Sequence, residues 1–311
     1  MAKKKSKKKK GELIWAYLLH LGYNMWADRE ATDWGITHVS AEDEVRVERD
    51  VWDDVLHRLK DAGANMVVID LGEGVRYRSH PEIAVRGSWS VKRLRRRLKA
   101  IRRLGLEPIP KLNFSTAHDA WMGPYARCVS TKPYYKACKD LIREVVDLFD
   151  KPRFFHLGMD EETAEHQRHY AYMLVRQFDL WWHDLEILLE QVDVFFKRMP
   201  ASVVQSNWYY GSSFGQKVAA ARTYRDIEEH GYDQIPTGSN WSCPENFQKT
   251  VTYARRHIAP ERLLGFLQTV WRPTLGECRD RHIEAIDLLT KAHKSWLRRQ
   301  ASADRETSAT N

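Results

Sequence analysis

Three features of the sequence predict an α/β protein folded as a (β/α)8 TIM barrel. Short apolar, β-branched runs alternate with amphipathic helical stretches, as parallel strands joined by crossover helices require. The alternation fills residues 12–299 with no linker, internal repeat or shift of composition that would mark a second domain. Finally, amides, carboxylates and indoles recur just after strand upon strand, the place where a barrel of this class assembles its site.

The elements follow in order. Residues 13–19 read as the first strand, and a helix over 44–62 stops at Gly63. The second strand covers 65–70. A basic helix begins after Ser90, a residue suited to an N-cap, and stops at Gly105 before a third strand at 107–112. Pro133 fits the first turn of the next helix, and 153–157 form the fourth strand. A long helical region containing residues 180–189 precedes a fifth strand at 202–206. Helices at 216–230 and 245–257 frame a sixth strand at 234–238, a seventh follows at 262–268, and a last helix spans 279–297. Seven strands are legible; the eighth falls at 170–175, or the barrel is irregular there. Residues 1–11 read as a disordered basic tail, 12–299 as the barrel domain, and 300–311, which lack large apolar side chains, as a second disordered tail.

Composition excludes several classes. With 43% hydrophobic and 30% charged residues, the 311-residue chain is neither collagen-like nor wholly disordered. Its net charge of +8 suggests nucleic acid until it is located: seven lysines lie among the first ten residues, and the remainder is nearly neutral. The run Lys92, Arg93, Arg95, Arg96, Arg97, Lys99, Arg102 and Arg103 is interrupted at helical spacing by Val91, Leu94, Leu98, Ile101 and Leu104, which describes a buried stripe with a solvated basic face. No nucleic-acid module accompanies it, so no specific nucleic-acid partner is expected. The basic head and residues 13–19 imitate a secretory leader, but Glu12 interrupts the junction, His20 follows at once and no small-x-small cleavage site is evident, which favours a soluble, cytoplasmic chain. No stretch reaches the ~20 apolar residues of a membrane span. Cys128, Cys138, Cys243 and Cys278 form no C-x-x-C pair. The sequence implies no cofactor and no resident metal.

The residues that follow the strands are His20, Tyr23, Asn24 and Trp26; Asp70; Asn113, Ser115, His118, Asp119 and Trp121; His156 and Asp160-Glu161-Glu162; Asn207-Trp208-Tyr209-Tyr210; Asn240-Trp241; and Gln268 with Trp271. Indoles stack on the C–H faces of sugar rings while amides, carboxylates and imidazoles bond hydroxyls, so a cup of this make-up suits an oligosaccharide or glycoside. Asp160-Glu161-Glu162 is the densest acidic feature. It could serve only to complement a helix dipole, or it could supply the acid of glycoside hydrolysis. Two other readings stand beside that one: a non-catalytic carbohydrate-binding barrel, and a metal-dependent hydrolase using His20, His118, His156 and Asp160.

Phe155-His-Leu-Gly-Met-Asp-Glu161 resembles the His-x-Gly-Gly-Asp-Glu signature of family 20 glycoside hydrolases, the β-N-acetylhexosaminidases, whose catalytic domain is a (β/α)8 barrel. The resemblance extends to Trp208, Trp241 and Trp271, where that family lines its sugar pocket with tryptophans, and to Asn113-Phe-Ser-Thr-Ala-His118 after the third strand. It implies a hydrolase of β-linked, N-acetylhexosamine-containing saccharides. Asp160 would orient the substrate's 2-acetamido group, which acts as nucleophile, and Glu161 would be general acid and then base. Asn24, Asp70, Asn113, His118, His156, Trp208, Tyr209, Trp241 and Trp271 would bind substrate. Should Glu161 not be the acid, Glu162, Asp70 and Glu277 are the alternatives. Three departures stand out: Met159 replaces the second glycine, Arg272-Pro273 follow Trp271 where the family places a sugar-binding glutamate, and Leu21-Gly-Tyr-Asn24 occupies the place of its arginine after the first strand.

Overall fold

A computed structural model describes residues 12–27, 38–115, 117–129, 131–159, 195–215 and 217–309. In chain order the strands are β1 (Ile14–His20), β2 (Met66–Asp70), β3 (Val75–Arg76), β4 (Trp89–Ser90), β5 (Glu107–Lys111), β6 (Thr237–Ser239) and β7 (Gly265–Thr269). The helices are α1 (Arg49–Asp61), α2 (Val91–Arg103), α3 (Lys132–Leu148), α4 (Ala219–Glu229), α5 (Asn246–His257) and α6 (Arg279–Ala309).

β1 is apolar on both faces and buried along its whole length, as a strand between a barrel interior and a helical layer must be. It is the centre of a parallel sheet in the order β5-β2-β1-β7-β6. Two further staves extend this sheet through parallel bridges. His156 pairs with Lys111 beyond β5, and Gln205 and Trp208 pair with Gln234 and Thr237 beyond β6. All seven expected staves are therefore present, running in space as fourth, third, second, first, seventh, sixth and fifth. The barrel is not closed among the described residues, because the opening lies between the fourth and fifth staves. The expected eighth strand at 170–175 and the helical region at 180–189 fall outside the described residues, as does the basic tail at 1–11.

Alternation along the staves sorts two cores. Ile14, Ala16, Leu18, Met66, Val68, Ile109 and Leu267 fill the barrel interior, while Trp15, Tyr17, Leu19, Val67, Ile69 and Phe266 face outward to join the helical layer. In that layer α2 behaves as its pattern requires. Ser90 caps it by accepting from the Arg93 amide at 3.2 Å, Val91, Leu94, Leu98 and Ile101 are buried, and Arg93 and Arg97 lie over the Trp89 ring at 4.6 and 5.6 Å.

Two elements differ from expectation. The helix placed at 44–62 begins only at Arg49, because Val45 and Val47 alternate with charged neighbours at the period of a strand; Glu44 and Val47 bridge to Arg86 and Thr274. The last helix, expected to end at 297, continues to Ala309. Residues 300–309 contain no glycine or proline to stop it, and helix propagation needs only good formers once a nucleus exists. No helix among the described residues is long and apolar enough to cross a membrane.

The two faces of α2 should differ sharply in their tolerance to truncation. Leu98→Ala leaves a cavity in the helical layer and is expected to cost about 2–5 kcal/mol, whereas Arg96→Ala on the exposed face should stay within about 0.5 kcal/mol. Urea unfolding of the two variants measures both.

Candidate functional site

Strand register builds the floor of the site. His20 pairs with Asp70 across β1 and β2, and Asp70 pairs with Lys111 across β2 and β5. Each lies on the inward-facing parity of its strand, so three polar side chains form one row at the C-terminal ends of adjacent staves. Lys111 donates to Asp70 Oδ2 at 2.8 Å and to Asn113 Oδ1. The Asn113 amide donates back to both Asp70 oxygens at 3.0 and 2.9 Å. Burial alone would raise the Asp70 pKa, but the Lys111 ammonium and the hydrogen bonds from Lys111 and Asn113 outweigh it and hold the carboxyl below its usual range. Asp70 is therefore ionised at neutral pH and unsuited to be a general acid. His20 lies 3.6 Å from Asp70, yet burial pushes its pKa down to about 3, against the pull of Asp70. Its imidazole is neutral.

Aromatic rings stand above this row. The Trp271 ring is 5.6 Å from His20 and 5.6 Å from the Lys111 ammonium. Trp26 packs on Trp271 at 5.8 Å, on Trp241 at 6.4 Å and edge-on to His118 at 4.8 Å. Trp208 stacks on Tyr210 at 4.9 Å, and the Tyr210 hydroxyl accepts the Trp271 indole N–H at 2.9 Å. Arg272 covers Trp241 at 4.9 Å. A cavity inside the barrel reaches this level, where Lys111, His156, Trp208, Tyr210 and Trp271 line it.

The loop after β1 is held by a buried carboxylate. Glu73 accepts from the amides of Tyr23 and Asn24 at 2.7 and 3.1 Å, and Arg46 donates to the Tyr23 carbonyl and the Asn24 side chain. The Tyr23 hydroxyl in turn donates to the Trp271 carbonyl at 2.8 Å. That bond helps to hold Trp271 at φ +48°, a left-handed conformation uncommon outside glycine. Gly22 is required beneath, since a Cβ there would sit 2.5 Å from the Leu71 carbonyl oxygen.

Of the expected residues, Asp70 and Asn113 meet in the floor, and Trp241 and Trp271 meet through Trp26. Trp208 joins them through Tyr210, and His118 through Trp26. His156 sits on the fourth stave, its Nδ1 accepting from the Gly158 amide at 3.1 Å. Two stand apart. The Asn24 amide bonds Glu42 and Arg46 within its own loop. The Tyr209 ring packs on Phe214 at 5.1 Å, because strand alternation turns it away from its neighbours Trp208 and Tyr210. Gln268 is likewise paired in register with outward-facing Tyr17. Asp160, Glu161 and Glu162 lie outside the described residues. His20, His118 and His156 do not converge as a metal-binding group among the described residues. Sequence reasoning missed Lys111, although its parity with Ile109 and its place opposite Asp70 were available as a signal.

Floor, indole wall and open stave ends define a (β/α) barrel with a polar, aromatic cup. Solved structures that share this fold include the following three. A β-N-acetylhexosaminidase from Bacteroides fragilis NCTC 9343 superposes with a TM-score of 0.58 at 14% identity, over 94% of this chain and 71% of that one. The pneumococcal virulence factor StrH, studied for N-glycan recognition and hydrolysis, gives 0.56 at 12% over 91% and 85%. A GH138 enzyme targeting pectin rhamnogalacturonan II gives 0.51 at 9% over 94% and 40%. No protein-family profile matches the sequence, and no curated protein matches it in sequence.

The buried floor and its surroundings can be tested through stability. Lys111→Met leaves the Asp70 carboxylate buried without its partner and should cost about 3–5 kcal/mol, while adding Asp70→Asn should recover part of that loss. Denaturant unfolding of the single and double variants gives the coupling, and strictly additive costs would show that the pair is not coupled. Acid should weaken the fold early. His282, between the Tyr17 hydroxyl at 2.9 Å and the Pro273 carbonyl at 3.0 Å, is pushed by burial down to about 4. Below pH ~6.5 the unfolded chain binds protons that folded His20 and His282 refuse, so stability falls with pH by about 2 kcal/mol for each histidine between about pH 7 and 5. Asp70 does not act in that window, since the stabilisation from a depressed carboxyl is lost only below its unfolded pKa of about 3.9. His282→Gln should remove roughly half of this pH dependence in urea titrations at about pH 7 and 5.

Proposed function

We propose that the protein is a glycoside hydrolase and a distant relative of family 20, acting on β-linked saccharides that contain N-acetylhexosamine. The observation that carries this reading is the cup itself: a buried floor in which Lys111, Asp70 and Asn113 bond one another, below a wall of indoles, at the stave ends of a fold shared with a β-N-acetylhexosaminidase and with a protein studied for N-glycan hydrolysis. A sugar ring offers apolar C–H faces to the indoles and hydroxyls to the polar groups.

Asp160 and Glu161 are the proposed catalytic pair. They follow the described part of the motif, where Gly158 lies against Asn113. Glu161 protonates the departing glycosidic oxygen and then accepts a proton from the attacking water. Asp160 orients the 2-acetamido group, whose carbonyl oxygen attacks the anomeric carbon, and stabilises the positive charge that develops on it. Glu161 must be protonated to start the cycle, which burial against indoles such as Trp208 or Trp241 and the adjacent negative charge of Asp160 would favour. The low pKa of Asp70 supports assigning the acid to the motif rather than to the floor.

The test uses chromogenic N-acetyl-β-glucosaminides and galactosaminides. Glu161→Gln should lower kcat by about 10²–10⁴-fold on substrates with poor leaving groups and much less on nitrophenyl glycosides. Asp160→Asn should lower kcat with little change in binding, because its help is felt in the transition state. A wild-type chain that binds N-acetylglucosamine in calorimetry but turns over none of these glycosides would instead be a carbohydrate-binding barrel, and losses independent of leaving group would move the acid to another carboxylate.

A further inference from the structure

Away from the cup floor, His38, Glu277 and Cys278 bring three ligand atoms of different types together, all within 4.8 Å of one another. His38 belongs to the loop between β1 and α1, and Glu277 and Cys278 to the 3-10 turn Gly276–Cys278 that leads into α6. His38 Nε2 lies 3.6 Å from Cys278 Sγ and 3.3 Å from Glu277 Oε1. Zinc bonds of about 2.3 Å to sulfur and about 2.0–2.2 Å to nitrogen or oxygen, at tetrahedral angles, place sulfur and nitrogen about 3.6 Å apart and nitrogen and oxygen about 3.3–3.4 Å apart. Both measured separations match edges of such a tetrahedron. We propose that His38, Glu277 and Cys278 form a binding site for a zinc-type divalent cation.

The donor set suits that ion. Thiolate and imidazole select zinc over magnesium or calcium, and thiolate plus carboxylate balance its two charges. Of the other nearby charges, Arg46 and Arg272 act on both His38 and Cys278, while Glu42 opposes them at His38 and Glu48 at Cys278. Cys278 is buried at 4% exposure, while the Glu277 side chain is 65% exposed, so an ion can enter from solvent with a fourth position for water. His38 is fixed before any ion arrives. Its backbone is at φ +69°, and its carbonyl accepts from Arg46 at 2.8 Å. Binding replaces the thiol proton of Cys278, which is released to solvent. The ion would cross-link two segments 240 positions apart, tying the β1–α1 loop to the start of α6 beside Trp271 and Arg272.

Cobalt(II) and zinc report on the site in the full chain after treatment with a chelator. One cobalt per chain should bind with a thiolate-to-cobalt charge-transfer band and the intense visible bands of four-coordinate cobalt, and zinc should displace it. Cys278→Ser should abolish the charge-transfer band. Glu277→Gln, at an exposed position that does not endanger folding, should keep the band and weaken cobalt binding by more than about tenfold, and His38→Gln should do the same. A folded wild-type chain without the band overturns the proposal. So does a band that persists in Cys278→Ser, which would belong to Cys128, Cys138 or Cys243, or one whose affinity ignores both Glu277→Gln and His38→Gln.

Discussion

Burying Lys111 against Asp70 sets conditions that much of the site must meet. Both side chains are 2% exposed, and a charge taken from water carries a penalty of several kcal/mol unless its partners are complete. Completion here needs β2 and β5 in register. A slip of one residue in β2 or β5 would turn Asp70 or Lys111 into the helical layer and leave the other charge alone. Asn113 closes the arrangement by accepting from Lys111 while donating to both Asp70 oxygens. The Trp121 indole N–H in turn holds the Asn113 carbonyl at 2.8 Å, so the floor is fixed from the outer layer as well as from the sheet.

The wall above the floor depends on the same logic, anchored by the buried Glu73 carboxylate. Glu73 orders the Tyr23 and Asn24 backbone, Tyr23 holds the Trp271 carbonyl, and the Trp271 indole N–H reaches Tyr210. Four loops that are distant in sequence thus share one hydrogen-bonded path around the cup. An indole wall built in this way keeps its ring planes fixed before ligand arrives, which reduces the ordering that binding must impose. Arg272, next to Pro273 where the resemblance would place a sugar-binding glutamate, is an integral part of the wall: it donates to the Trp271 carbonyl at 2.9 Å and lies over Trp241.

Most of the fold is legible in the sequence because the staves and helices announce themselves by period and by their stops. Seven staves can be read, and all seven are present. What escapes lies where local pattern and tertiary pairing disagree. Residues 44–48 look helical when read with the helix that follows, yet Val45 and Val47 obey the strand period. The two-residue strands β3 and β4 are set by pairing with each other, which no local pattern displays. In the site, residue type is a good guide and direction a poor one. Tyr209 and Tyr210 are equally plausible as letters, but alternation from Trp208 admits only Tyr210. Lys111 escapes because a lysine is ordinarily exposed, and only its register with Asp70 shows why it is buried.

The motif that carries the resemblance divides at its two central positions, and the structure gives a reason for each. Gly158 has φ +52°, and a Cβ on it would lie 2.5 Å from the Asn113 side-chain oxygen and 2.9 Å from its Cα. A side chain there would displace the residue that closes the buried floor, so glycine at this point serves the Lys111–Asp70 pair as much as the turn. Met159 meets no such constraint. It is 41% exposed and stands at the cavity edge, where a side chain has room that a second glycine would leave to solvent. Departure from the family pattern at Met159 is therefore compatible with an intact floor, whereas the same change one residue earlier would not be.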